Sequence, residues 1–299
     1  MSDREKFLKE KISSLVPKET ELESRGEHFD FHAPVTCSVT TSNSIAVGFG
    51  DGKVRFFFER EKPRIIDAHN GVVLSIATNG EYIFTGGDDG RFLKLSQNGD
   101  IVEIANFNSR WVDSVAAYKD SMVCSSGRNV YIWSGDQKKA KSLEHSSTVG
   151  GLAFDHTGKR LAVSSYGGVT VWERGERRWT SKRLVWKGSH SKVGFSPDGK
   201  YIVTSMQESE LHGWRLRDKV DLAMRGYPAK IKSFAWVGDT PHLATSGDHQ
   251  AICWPFDGKD GPLGREPVCV ADCGKQISTF IEPLTCLLYT SDAADEHSW

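Results

Sequence analysis

The sequence predicts an all-β fold, a β-propeller, in which small antiparallel sheets are arranged around a central axis. The first observation is a repeat: six short alternating runs end on a bulky residue, at steps of 38, 38, 39, 42 and 40 residues. Secondly, each run follows further apolar runs and turn residues, such as Ser-Pro-Asp-Gly at 196–199. Thirdly, the units show no long 3.6-residue periodicity, which makes an α/β fold a poor alternative. The end residues are Phe57, Leu95, Trp133, Trp172, Trp214 and Trp254.

Residues 1–27 precede the first unit and are expected to form an N-terminal extension. Leu8, Ile12 and Leu15 fall at the i, i+4 and i+7 spacing of one helix face, and Pro17 would end such a helix. The pattern indicates a short amphipathic helix. It is either a frayed surface extension or a docking helix for a partner.

Residues 28–285 contain the repeated units. Three strands of each unit are visible and a fourth is expected in the connection to the next, which matches one propeller blade. Six units are complete, and a seventh begins after the outer strand at 267–270 with an innermost strand at 277–281. Residues 28–31 could supply the outer strand of this last blade and so close an open edge. We therefore expect a seven-bladed ring whose last blade is truncated.

Residues 286–299 stand apart from the repeats. The segment Cys-Leu-Leu-Tyr-Thr-Ser-Asp-Ala-Ala-Asp-Glu at 286–296 resembles the in-frame translation of a transposase adapter used to prepare sequencing libraries. A natural disordered tail is the alternative. On the adapter interpretation the tail is non-native, and the last blade lacks roughly 20–30 residues, judged by the repeat length.

The units resemble the WD40 repeat family over about residues 28–281. Units five and six, with Trp-Lys-Gly-Ser-His at 186–190 and Ile-Cys-Trp-Pro-Phe at 252–256, are similar to uncharacterised bacterial members. The resemblance implies that hydrogen bonds among a His, a Ser or Thr, an Asp and a Trp tie each blade together. No blade holds all four. The matching residues, from the first blade to the sixth, are His32 and Asp51; His69, Thr85 and Asp89; Trp133; His145, Ser164 and Trp172; Trp214; and Thr245 and Trp254.

Charge and cysteine content narrow the classes of partner and location. The 38 basic and 39 acidic residues nearly cancel, which argues against bulk DNA or an anionic membrane as the main partner. No apolar run approaches the roughly 20 residues that cross a bilayer, and the N-terminus lacks the apolar core of a signal peptide. Six irregularly spaced cysteines indicate free thiols in a reducing compartment. We expect a cytoplasmic protein that is monomeric apart from its partners.

Candidate metal and catalytic residues have structural alternatives. His32, His69 and His145 could be ligands or bases, but their position before an innermost strand favours hydrogen bonding within a blade. Cys269 and Cys273 have a C-x3-C spacing, yet a zinc site needs about four converging ligands; possible companions are His242, His249 and Cys253. No phosphate-binding loop, nucleophile elbow or His-Glu-x-x-His motif is present. We predict no catalytic residue, metal or cofactor.

The most unusual composition lies at residues 174–192, where Glu176 is the single acid among seven cations with tryptophans between them. The segment is a solvated outer strand whose charges protect a sheet edge, a site for an acidic protein or peptide, or, less favoured, a site for single-stranded nucleic acid. The candidate partner-binding residues are Arg177, Arg178, Trp179, Lys182, Arg183, Trp186, Lys187 and His190.

The sequence therefore predicts a non-catalytic scaffold that mediates protein–protein interaction. The alternatives are a ligand- or metal-binding propeller, which could also be catalytic, and binding of single-stranded nucleic acid through residues 174–192. The identity of a protein or peptide partner does not follow from the sequence.

Overall fold

A computed structural model describes residues 24, 27, 29–135, 137–176, 178–238, 241–271 and 277–283. These residues form 22 strands, and every paired set is antiparallel. The strands are β1 (Val35–Thr40), β2 (Ser44–Phe49), β3 (Lys53–Phe58), β4 (Arg64–Asp67), β5 (Val73–Thr78), β6 (Ile83–Gly87), β7 (Arg91–Leu95), β8 (Ile101–Asn106), β9 (Ser114–Tyr118), β10 (Ser121–Ser126), β11 (Asn129–Ser134), β12 (Lys141–Glu144), β13 (Val149–Phe154), β14 (Arg160–Arg174), β15 (Trp179–Phe195), β16 (Tyr201–Met206), β17 (Leu211–Arg215), β18 (Val220–Met224), β19 (Phe234–Val237), β20 (His242–Thr245), β21 (Ala251–Pro255) and β22 (Val268–Val270).

The strands form five sheets in which neighbours in space are also neighbours in the chain. Four sheets have four strands each, β1–β4, β5–β8, β9–β12 and β19–β22, and one sheet has six, β13–β18. The innermost strand of one sheet contacts the innermost strand of the next, as in β1 with β5, β5 with β9 and β9 with β13. This is the arrangement of a β-propeller.

The six-stranded sheet holds the fourth and fifth sequence repeats. β14 folds back on itself at a turn formed by Gly167 and Gly168. The two ends of the strand meet, since the Arg174 amide donates a hydrogen bond to the Lys159 carbonyl at 2.8 Å. The φ values of these two residues, Gly167 and Gly168, are +82° and +128°, a backbone conformation that glycine adopts more readily than other residues. β15 then pairs with β14 through its first part and with β16 through its last. One strand is thus the outer strand of one repeat and the innermost strand of the next.

The expectation of seven blades is corrected, since the described residues form five sheets. Two repeats share one sheet, because no loop interrupts β15. The segment 277–281, predicted as an innermost strand, is described without strand assignment. The helix expected at 8–15 and the tail at 286–299 lie outside the described residues.

Residues 277–283 lie between the last sheet and the first. The Ser278 amide donates to the Asp248 carbonyl at 2.8 Å, and the Ser233 hydroxyl donates to the Ile281 carbonyl at 3.0 Å. At the other side, the Thr40 amide donates to the Glu282 carboxylate at 2.8 Å. The segment therefore bridges the two sheets and completes the ring.

The outer strand expected at 28–31 is not formed by the described residues of that segment, 29–31. These residues pack through aromatic rings instead. The Phe31 ring lies 5.6 Å from the Phe49 ring, and the buried Arg55 guanidinium lies 4.4 Å and 4.2 Å from these two ring centroids. Arg55 also donates both terminal nitrogens to Asp51. The segment is held by stacking and cation–π contacts rather than by a strand ladder.

The core consists of apolar clusters between neighbouring sheets. Val54 and Phe56 of β3 belong to one cluster with Val73 of β5 and Leu93 of β7, and all four are fully buried. Full burial of such a side chain contributes about 1.5–3 kcal/mol relative to exposure. The stability of each sheet therefore depends on its neighbours.

Candidate interaction face and central channel

One end of the molecule, here called the loop face, is formed by the turns between second and third strands and by the connections that precede innermost strands. The two sets of loops are hydrogen-bonded to each other. The Val112 amide donates to the Gly87 carbonyl at 3.0 Å, and the Val149 amide donates to the Gly127 carbonyl at 3.0 Å. These bonds fix the loops on a rigid scaffold, which is where binding residues are commonly placed.

His69 of the second repeat lies in such a connection and is bonded at both ring nitrogens. Nε2 lies 2.9 Å from Thr85 Oγ1, and Nδ1 lies 2.9 Å from Asp89 Oδ1. Asp89 also accepts hydrogen bonds from the amides of Asn70 and Arg91. Burial lowers the pKa of His69, partly offset by Asp89. The three predicted residues meet, while Leu95 takes the position of the tryptophan and is fully buried.

In the fourth repeat, Trp172 Nε1 donates to His145 Nε2 at 3.1 Å. Ser164 does not join them; its hydroxyl donates to the Ser191 carbonyl on the neighbouring innermost strand. Burial lowers the pKa of His145. This repeat therefore uses two of its three predicted residues together.

In the fifth repeat His190, expected on a partner-binding surface, is buried inside the blade. Its Nδ1 lies 2.8 Å from Thr204 Oγ1, and its Nε2 lies 3.1 Å from the Trp186 carbonyl. The Trp186 ring stacks on His212 with centroids 3.9 Å apart, and His212 packs edge-on against Trp214. Desolvation lowers the pKa of His212 to about 4. Sequence reasoning missed this role, although His190 precedes an innermost strand as His69 does.

In the sixth repeat Tyr227 takes the position of the histidine. Its hydroxyl lies 2.7 Å from Thr245 Oγ1 and accepts a hydrogen bond from Trp254 Nε1 at 2.6 Å. Burial raises the pKa of Tyr227 to about 12, so the hydroxyl is protonated at neutral pH. The spacing in the sequence could have indicated this role of Tyr227. Tyr227 precedes its threonine by 18 residues, and His69 precedes Thr85 by 16.

The first and third repeats are stabilised by contacts other than the histidine or tyrosine hydrogen bonds described above. His32 is exposed, with its backbone amide donating to Asp30, so it does not take the buried position that the resemblance implied. The backbone of His32 is left-handed, at φ 51°. Asp51 binds Arg55 instead, which lowers the pKa of that carboxyl. Trp133 is buried against Phe92, with ring centroids 5.5 Å apart.

The basic segment at 174–192 runs from the last residue of β14 into β15, and its described side chains point in different directions. Arg183 donates to the hydroxyls of Ser165 and Thr170 and to the Tyr166 carbonyl. Trp179 and Trp186 pack against core clusters. The exposed candidates are Arg178, Lys182 and Lys187, and Arg177 lies outside the described residues.

Two large aromatic side chains are exposed on the loop face. Trp111, in the connection that precedes β9, is 57% exposed, and Tyr166, at the turn of β14, is 59% exposed. Exposed tryptophan and tyrosine on fixed loops are typical of interface residues that carry binding energy.

The central channel encloses a cavity of about 530 Å³. It is lined by the innermost strands, including the small residues Ser75, Ser114, Gly150 and Gly151. It also contains residues that sequence reasoning missed: Cys37, Lys192, Lys232, Phe280 and Glu282. Burial raises the pKa of the Cys37 thiol to about 11, so this cysteine is not a thiolate at neutral pH.

The described cysteines Cys37, Cys124, Cys253 and Cys269 are free thiols. Among the described residues, no three His, Cys, Asp or Glu side chains converge to hold a metal ion; Cys273 lies outside them. Within the same part of the chain, no helix has the length and apolar character needed to span a membrane.

Comparison with known proteins identifies the repeat. The family model for the WD domain, G-beta repeat matches residues 60–92 and 137–173. A coronin-like protein of Saccharomyces cerevisiae is 30% identical over 142 residues, which cover 43% of this chain and 21% of that protein. The chain thus spans about a fifth of the length of this relative.

Proposed function

The chain is a WD40 repeat protein, and on this premise we propose that it is a non-catalytic scaffold that binds a protein or peptide partner across its loop face. The family and the coronin-like relative support an interaction scaffold at a general level. Because one fold hosts many functions, the proposed function must be supported by the residues of the site. The observation that carries it is the pair of exposed aromatic residues, Trp111 and Tyr166, on loops held by hydrogen bonds.

The first part of β15, which is the outer strand of the fourth repeat, extends the proposal to a partner with acidic character. Arg178, Lys182 and Lys187 are exposed there. Single-stranded nucleic acid is a weaker candidate, since Trp179 and Trp186 pack against core clusters and leave little ring surface for bases to stack on.

The test is affinity purification from the organism that carries the gene, quantified by mass spectrometry. We compare the wild-type chain with the double variant Trp111→Ala, Tyr166→Ala. The control is Val102→Ser, Val185→Ser, which removes exposed apolar side chains from outer strands. A bound protein should be retained by the control and reduced at least about tenfold by the aromatic double variant. Equal recovery with all three chains would overturn the proposal.

We also propose a reducing, cytoplasmic location. Cys37 and Cys124 are buried free thiols, and such thiols are typical of proteins from reducing compartments. Imaging of the tagged full chain in the source cells tests this proposal, and a secreted or periplasmic signal would contradict it.

A further inference from the structure

Lys192 is a cation on the wall of the central channel, and no carboxylate pairs with it among the described residues. Its Nζ lies 5.3 Å from the Phe234 ring centroid and 5.9 Å from that of Phe280. The rings attract the ammonium through their faces, and no oxygen atom of the described residues accepts a hydrogen bond from its three N–H donors. Desolvation lowers the pKa of the half-buried Lys192, and the negative charge of Glu282 acts in the opposite direction.

Glu282, which lines the same cavity, is engaged with β1. Its carboxylate accepts hydrogen bonds from the Thr40 amide at 2.8 Å, the Thr40 hydroxyl at 3.1 Å and the Ser38 hydroxyl at 3.4 Å. Burial raises the pKa of Glu282, with the hydrogen bonds from Thr40 acting in the opposite direction. Glu282 therefore anchors the segment that completes the ring. It makes no direct ion pair with Lys192, although the charge of each residue stabilises the charge of the other.

Two further groups in the cavity can meet an anion. Lys232 precedes β19, lines the cavity and is exposed. Ser75 Oγ accepts a hydrogen bond from the Val115 amide at 3.1 Å, which leaves the hydroxyl hydrogen to donate. The cavity of about 530 Å³ has the size of small-molecule sites, about 300–1,000 Å³.

We propose that the central channel binds a small carboxylate whose oxygens accept hydrogen bonds from Lys192. A phosphate fits less well, because compact dianions are usually held by several donors or by bidentate arginine. The described residues that line the cavity offer the ammonium groups of Lys192 and Lys232 but no guanidinium, and the charge of Glu282 opposes the second negative charge of a dianion. The inference goes beyond the scaffold role, since it concerns the channel and not the aromatic residues of the loop face. The carboxylate belongs either to a free organic acid or to an acidic side chain of a peptide.

The experiment is saturation-transfer difference NMR with the full chain at pH 7. Three probes are compared: glutarate, the blocked peptide Gly-Gly-Glu-Gly-Gly, and inorganic phosphate competing with each. Wild-type protein should transfer saturation to glutarate, to the peptide, or to both, and the probe that responds identifies the source of the carboxylate. The signal should fall at least about fivefold in Lys192→Met and stay within about twofold in Lys62→Met, an exposed lysine remote from the cavity lining.

The proposal is overturned by three results: no signal from either carboxylate with wild-type protein, an undiminished signal in Lys192→Met, or displacement by phosphate at lower concentration than glutarate itself requires. Methionine keeps the length of the side chain against the two phenyl rings, and near-UV circular dichroism checks its fold. If Lys192→Met does not fold, intermolecular contacts between glutarate and the Phe234 and Phe280 rings decide the question in wild-type protein. Failure of the loop-face experiment leaves this result unaffected, because no partner protein is used.

Discussion

At the scale of single residues, the histidine networks show how a blade is tied. Thr85 is fully buried and lies 2.9 Å from His69 Nε2. The substitution Thr85→Val keeps the shape of the side chain and leaves the imidazole nitrogen without a partner. Because an unsatisfied buried polar group costs about 1–3 kcal/mol, the free energy of unfolding should fall by that amount. Urea denaturation followed by tryptophan fluorescence measures the change.

The matched control at this scale is Thr180→Val on the exposed side of β15. A surface threonine of this kind should change the free energy of unfolding by less than about 0.5 kcal/mol. If Thr85→Val had no larger effect than Thr180→Val, the His69–Thr85 bond would contribute nothing to stability.

At the scale of elements, the turn between β6 and β7 is pressed against the loop that precedes β9. Gly90 has φ +79°, and a Cβ added there would lie 1.9 Å from the Asn108 carbonyl oxygen. Gly80 has φ +97° with open space around it. Gly80→Ala should cost about 1–2 kcal/mol for the left-handed backbone alone. Gly90→Ala should cost at least about 2 kcal/mol more, because the backbone must move.

Thermal and urea unfolding of both glycine variants provide the comparison. Since the backbone conformations are similar, the difference between the two variants reports the contact between the turn and the neighbouring loop. Equal destabilisation would mean that the loops of the loop face are not held against each other.

At the scale of the whole molecule, residues 277–283 connect the last sheet to the first. Glu282→Ala removes the acceptor for the Thr40 amide and hydroxyl. The midpoint of thermal unfolding should decrease, because the partly buried Thr40 amide loses its acceptor and a fully buried unpaired amide costs about 1–3 kcal/mol. Glu266→Ala, at an exposed position, is the control and should leave the midpoint unchanged. A midpoint that is equal in both variants would show that ring completion does not depend on Glu282.

Four buried histidines make the stability of the whole ring depend on pH. Desolvation lowers the pKa of His69, His145, His190 and His212 below the ordinary value of 6.5. The unfolded chain therefore binds protons that the folded chain does not, so this stability is present above pH 6.5 and is lost as the pH falls. Between pH 7.5 and 5.5 the free energy of unfolding should decrease, by an amount on the order of 1 kcal/mol for each histidine that stays neutral in the folded chain. Urea titrations at constant ionic strength measure it, and equal stability at both pH values would contradict the prediction.

The repeat period located the strands well, because alternation and turn residues act locally. The predicted end residue Leu95 is the last residue of β7, and the predicted end residue Trp133 is the last but one of β11. Three features escaped sequence reasoning because they depend on contacts between distant residues. Tyr227 takes the place of a histidine through hydrogen bonds of its hydroxyl group with Thr245 and Trp254, which are distant in the sequence. The inward packing of Trp186 and the cavity around Lys192 follow from the neighbouring sheets.

The continuity of β15 limits where new chain ends or inserted domains can be placed in this chain. Between the other repeats, connections such as 68–72, 107–113 and 145–148 separate one sheet from the next, and each has an exposed position, such as Asn70, Arg110 and Ser146. New chain ends or inserted domains are tolerated at exposed loop positions of this kind. Between the fourth and fifth repeats there is no such loop, since the strand passes from the outer edge to the channel without interruption. These two repeats form one indivisible module, so circular permutants opened within β15 should fail where those opened at the other connections succeed.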